Sequence, residues 1–147
     1  SNFQDNCTAH CFSGGGIVIG ERGNVGHGVV LHGCTIGNRA LIGINAVVMD
    51  GAVIGDDCIV AALSFVRAGF EAPEATLLAG IPAVVKRTLG ERELSWKAEA
   101  TQDYLDLTPR CHASLELVEA LTEPTGAGLE ITGSRPLHTI ARDSSAS

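Results

Sequence analysis

Large aromatic side chains are scarce, with four Phe, one Trp and one Tyr in 147 residues. A core built on packed rings is therefore excluded, and any core must be closed by small and branched aliphatic groups. Basic residues are also few. Ten Lys and Arg stand against seventeen Asp and Glu, a formal net charge of -7, with no Lys/Arg cluster to offset it. That balance argues against nucleic acid as a partner. No apolar run approaches the roughly 20 residues that cross a bilayer, so no membrane partner is expected. The five cysteines, Cys7, Cys11, Cys34, Cys58 and Cys111, are odd in number and lack the spacing of an extracellular disulfide framework. Reduced thiols in a soluble, cytoplasmic protein are the expectation. Cys7 and Cys11 have no second Cys-x-x-x-Cys pair to complete a metal site.

Glycine, by contrast, is abundant at 18 residues, without the strict G-x-y period of collagen. The branched residues Ile36, Ile42, Val48, Ile54, Val60 and Val66 fall at every sixth position. Four residues after each of the first five stands a small one: Ala40, Ala46, Ala52, Cys58 and Ser64. Gly37, Gly43 and Gly55 directly follow branched positions and mark recurring bends. Going backwards, Leu31, Val25 and Ile19 continue the series, with one unit short by a residue after Thr35.

A period of six matches neither the 3.6 of a helix nor the 2 of an ordinary strand. One short strand and one bend per unit, three units to a coil, would stack the branched side chains inward at about 4.8 Å. The fold class expected is an all-β solenoid, a parallel β-helix. Phe3 with Cys7, and Ala9 with Ser13, already fit repeat units, so further coils are expected ahead of them. Ser13-Gly-Gly-Gly16 interrupts the period and should loop outward from a corner.

After Val66 the rhythm dissolves, and Leu77 to Ala83 gives one last strand and turn. Thr88-Leu-Gly-Glu91 has the form of a capping box. Beyond it Leu94, Ala98, Thr101 and Leu105, flanked by Trp96, Tyr104 and Leu107, make an apolar stripe at helical spacing. Thr108-Pro109 either opens a second helix or kinks a single long one. The expected organisation is a β-helix over residues 2–87, a helical segment over 88–123 and a flexible tail over 124–147.

Three histidines gather at the start of the solenoid. His10 and His32 each follow an inward residue, one coil apart once the glycine insertion is discounted, and should stack on one face. His27 lies two positions into its own unit and should splay toward an adjacent face. A three-faced prism packs naturally about a threefold axis. A homotrimer would then join two imidazoles of one subunit to the third of the next, leaving a coordination position open for water. The plainer alternative is three polar residues on a solvated corner.

The stretches Asn2-Phe-Gln-Asp-Asn-Cys-Thr-Ala-His10, Gly26-His-Gly-Val-Val-Leu-His-Gly-Cys34, Ile44-Asn-Ala-Val-Val-Met-Asp50, Ala61-Ala-Leu-Ser-Phe-Val-Arg-Ala68 and Glu93-Leu-Ser-Trp-Lys97 resemble the gamma-class carbonic-anhydrase-like hexapeptide-repeat family. Within it they are most similar to the branch of the phenylacetic acid degradation protein PaaY and the carnitine operon protein CaiE. That resemblance implies a left-handed coil with a C-terminal helix. It also implies metal ligands at His10, His32 and, across a subunit interface, His27. The ion would be Zn²⁺, or else cobalt or iron, with Gln4 beside the metal-bound solvent in a catalytic role. The function expected is that of a metal-dependent hydrolase, a PaaY-like acyl-CoA thioesterase acting through metal-bound hydroxide. The alternatives are a carbonic anhydrase, a hexapeptide acyl-CoA acyltransferase and a noncatalytic assembly subunit.

Overall fold

The computed structural model describes residues 1–117 and 119. The first coils carry β1 (Asn2–Phe3), β2 (Thr8–His10), β3 (Val18–Ile19), β4 (Asn24–Val25), β5 (Val30–His32), β6 (Thr35–Ile36) and β7 (Leu41–Ile42). They are followed by β8 (Val47–Val48), β9 (Val53–Ile54), β10 (Ile59–Val60), β11 (Phe65–Val66) and β12 (Glu71–Ala72). A hairpin of β13 (Thr76–Gly80) and β14 (Ala83–Thr88) and the helix α1 (Glu91–Ser114) complete the described elements.

These strands form the three walls of a left-handed parallel β-helix. The first wall runs β1-β4-β7-β10-β13-β14, the second β2-β5-β8-β11 and the third β3-β6-β9-β12. Every third strand is therefore a neighbour, as a six-residue unit with three units per coil requires. The register stacks Val25 on Ile42 on Val60, Leu31 on Val48 on Val66, and Ile19 on Ile36 on Ile54. Ile36, Ile42, Val48, Ile54, Val60 and Val66 are all buried, and so are Ala40, Ala46, Ala52, Cys58 and Ser64 at the corners. Only small side chains fit there because the chain must turn inside the cross-section of the prism. At Gly43 a Cβ would lie 2.5 Å from the Ala62 amide nitrogen and 2.7 Å from the Val60 carbonyl oxygen. Adjacent coils thus touch backbone to backbone.

The hairpin closes the described end of the coil, with β14 antiparallel to β13. Thr88 pairs with Thr76 as the last residue of β14 and does not cap the helix. The N-cap is Gly90, whose N–H donates to Glu93 Oε2 at 2.8 Å. Arg87 clamps the same carboxylate, and together these contacts pull the Glu93 acid down to about 2. Pro109 lies inside a single helix, with no second helix starting there.

The helix lies along the first wall, with Lys97 and Thr101 buried and Leu94 and Leu105 half-buried. The Lys97 ammonium donates to the Arg39 carbonyl and to Asp57 Oδ1, the latter at 3.0 Å. Arg39 grips Asp57 from the other side, with Nη2 2.7 Å from Oδ2. These two cations, Arg39 first, hold the Asp57 acid below its ordinary range. The tail expected over residues 124–147, and the last residues of the expected helical segment, lie outside the described residues.

Candidate active site

On the second wall the side chain after each inward residue points out. His10 follows Ala9 in β2 and His32 follows Leu31 in β5, and the two are direct partners in the parallel register. Their rings lie 4.9 Å apart between centroids, tilted by 40°. His10 Nδ1 and His32 Nε2 are 2.9 Å apart, a hydrogen bond. One coil further on, Asp50 sits in the turn after β8, where the Gly51 N–H donates to the Gly33 carbonyl at 2.8 Å. Its carboxylate Oδ1 reaches back to His32 Nδ1 at 2.7 Å. Three successive coils thus contribute one residue each to a continuous chain of hydrogen bonds.

The direction of that chain follows from its fixed end. An ionised carboxylate only accepts, so His32 Nδ1 carries the hydrogen and His32 Nε2 is left with a lone pair. His10 Nδ1–H must then donate to it, which leaves a lone pair on His10 Nε2. His10 is exposed, whereas the His32 side chain retains 19% of its accessible surface. The arrangement ends in an exposed proton acceptor backed by a half-buried carboxylate. Phe12 packs edge-to-face on His32 at 5.0 Å between centroids and 76° between planes. Cys34, two residues past His32, is no nucleophile: burial pushes its thiol up to about 11.

Gln4 and His27 belong to a different cluster. Gln4 Oε1 accepts from the His27 backbone N–H at 3.1 Å, and Gln4 Nε2 donates to the Tyr104 hydroxyl at 2.9 Å. These groups line a groove of about 540 Å³ between the first wall and α1, with Ile44, Trp96 and Ala100 among its apolar walls. His27 stands at this groove and does not join the His10–His32 pair. Asp50, Phe12 and Tyr104 carry no role in the sequence reading. Asp50 was the most accessible of the three, since it lies two residues past Val48 as Gly33 does past Leu31, within a side chain's reach of His32 in the coil before.

Residues 33–68 match the family model described as bacterial transferase hexapeptide (six repeats). The carnitine operon protein CaiE of Escherichia coli K12 is 48% identical over 123 residues, which is 84% of this chain and 63% of that protein. The chain thus spans less than two thirds of the length of this relative. Among solved structures, a Bacillus cereus protein described as a "putative acetyltransferase" is 33% identical with a TM-score of 0.74, covering 76% of this chain and 65% of that one. A hexapeptide transferase family protein from Anaplasma phagocytophilum is 35% identical with a TM-score of 0.69, covering 74% and 64%.

These findings correct the expectation of a zinc-dependent thioesterase or carbonic anhydrase. Both solved relatives are described as transferases, and neither as a hydrolase. Among the described residues, no group of three or more His, Cys, Asp or Glu side chains could hold a metal ion. The facing nitrogens of His10 and His32 satisfy one another, and the other His32 nitrogen is taken by Asp50. Such a donor set does not fit Zn²⁺, cobalt or iron.

Proposed function

The chain belongs to the bacterial hexapeptide-repeat family, in the branch of the carnitine operon protein CaiE, and we propose on that basis that it transfers an acyl group from a CoA thioester to a hydroxyl or amine. The observation that carries this reading is the Asp50–His32–His10 chain with its exposed lone pair on His10 Nε2.

His10 accepts the proton of the acceptor hydroxyl or amine as that group attacks the thioester carbonyl. The new C–O or C–N bond forms a tetrahedral intermediate. Its collapse breaks the C–S bond, and the departing CoA thiolate takes the proton back from His10. The hydrogen-bond chain holds His10 in the tautomer that accepts at Nε2, and the Asp50 charge favours the imidazolium formed in passing. His32 and Asp50 are positioning residues in this scheme. General base catalysis of this kind contributes about 10² to 10⁴ in rate.

Gln4 is a positioning residue for the groove, where it fixes the His27 backbone and the Tyr104 hydroxyl. The working form in this reading is a homotrimer. Ile44 and Leu63 occupy successive corners between the first and second walls and are 50% and 66% exposed, which supports a seam between copies there. No described helix is long and apolar enough to cross a membrane. The five free thiols fit a reducing, cytoplasmic setting.

The test is CoA release from acetyl-CoA and longer acyl-CoA thioesters, measured against a panel of sugar, amino-sugar and amino-alcohol acceptors. Release should depend on an acceptor and fall about 100-fold or more in His10→Ala. Acceptor-independent release, or a His10→Ala variant as active as the parent, overturns the reading.

A further inference from the structure

An exposed Phe on its own needs no explanation, since apolar atoms make up much of any protein surface. Phe12 is distinguished by where it is held. The residue is 69% exposed, yet its ring lies against His32, and in sequence it stands two residues after the proposed base His10. Its backbone is fixed by a tight turn in which the Gly15 N–H donates to the Phe12 carbonyl at 2.9 Å. Gly14 takes φ +81° within that turn, a conformation that favours glycine. A Cβ on Gly15 would come within 3.1 Å of the Phe12 carbonyl oxygen. Beyond Phe12, a Cβ added to Gly14 or Gly16 would meet nothing within 4 Å, so the side-chain direction of both is open. The glycine insertion therefore presents a fixed apolar ring at the mouth of a polar hydrogen-bond chain and leaves the room beside it empty.

We propose that Phe12 is a specificity-determining wall against which the acyl chain of the thioester lies, so that the site prefers acyl groups longer than acetyl. The assignment rests on the acyl-transfer reading above. Of the groups that must meet at His10, the acceptor brings a hydroxyl or amine and the CoA arm brings amides near the thioester. The acyl chain is the only part that is necessarily apolar, so an apolar ring at this point gains most by contacting it.

Nonreactive S-alkyl-CoA thioethers, from methyl to hexyl, test this by titration calorimetry without any turnover. Affinity for the parent protein should rise about twofold per methylene, half the transfer free energy of a fully buried one. That accumulates to about 30-fold from methyl to hexyl. Phe12→Ala should flatten the whole series to about threefold or less while S-methyl-CoA binding stays within about twofold of the parent. Phe12→Leu should fall between. A flat series in the parent protein, an unchanged slope in Phe12→Ala, or an equal loss for every ligand overturns the proposal. The outcome is separable from that of the transfer reading: a chain-length slope lost in Phe12→Ala stands even if no acceptor is acylated, and acceptor-dependent turnover stands even if the slope is absent.

Discussion

Replacing Asp50 by Asn keeps a hydrogen-bond acceptor in place and removes only charge, because the amide oxygen can face the same His32 Nδ1–H. The two hydrogen bonds of the chain are 2.7 and 2.9 Å long and are separated by one imidazole. That puts the carboxylate roughly 7 to 8 Å from the positive charge that forms on His10, worth about 2 kcal/mol at an effective dielectric of 20. The Asp50 side chain is 34% exposed, so solvent screening lowers this to about 1 to 2 kcal/mol. Asp50→Asn should then lower kcat/KM about tenfold, with KM little changed. The assay is acceptor-dependent CoA release in the parent, Asp50→Asn, His32→Ala and the double variant. Because the charge acts through His32, the double variant should be no slower than His32→Ala. A single variant within twofold of the parent, or a tenfold cost that persists without His32, would refute the hydrogen-bond chain as a working unit.

Three further outcomes follow from the scaffold. Gly43→Ala should cost about 1 to 3 kcal/mol in urea denaturation, because its Cβ meets backbone atoms that cannot rotate away, whereas Gly16→Ala, with open space around it, should be close to neutral. Asp57→Asn can keep a hydrogen-bond acceptor for the buried Lys97 ammonium but removes the negative charge that balances it, so a loss of about 2 to 3 kcal/mol is expected, visible in the same denaturation midpoint. Glu93 has its acid lowered from 4.5 to about 2, so its contribution is complete above pH 4.5 and is lost as the pH falls toward 2. The helical circular dichroism signal should show that acid component in the parent and lack it in Glu93→Gln; superimposable acid titrations of the two would count against the clamp.

The coil was legible because its two constraints repeat independently. Branched residues at one position and small residues four further on are demanded by the interior and the corners, and both recur from Ile36 to Ser64. Hand was not legible in this way, since the period is the same for either, and it came from resemblance. The helix start was misplaced by two residues because Thr88 and Glu91 have the side chains of a capping box, while the antiparallel ladder had already claimed the Thr88 backbone. Lys97 was invisible as a buried residue. A helical pattern counts it as solvent-facing, and only the Asp57 carboxylate and Arg39 carbonyl, supplied by the coil, make its burial tolerable.

The site was legible only along one row. Unit counting aligned His10 with His32 because parallel strands keep residues of equal phase in register. It could not show what the second His32 nitrogen faces, since Asp50 belongs to the next turn and reaches back across phases. That missing contact decides the chemistry. Two stacked imidazoles with free outer nitrogens form half of a metal site, and the sequence reading completed it with His27. With Asp50 fixing one nitrogen of His32, the same pair becomes a directed proton path that ends at His10 Nε2. A histidine pair in a solenoid is therefore better judged by whether an acceptor in the following coil sets its tautomer than by how many further histidines lie nearby.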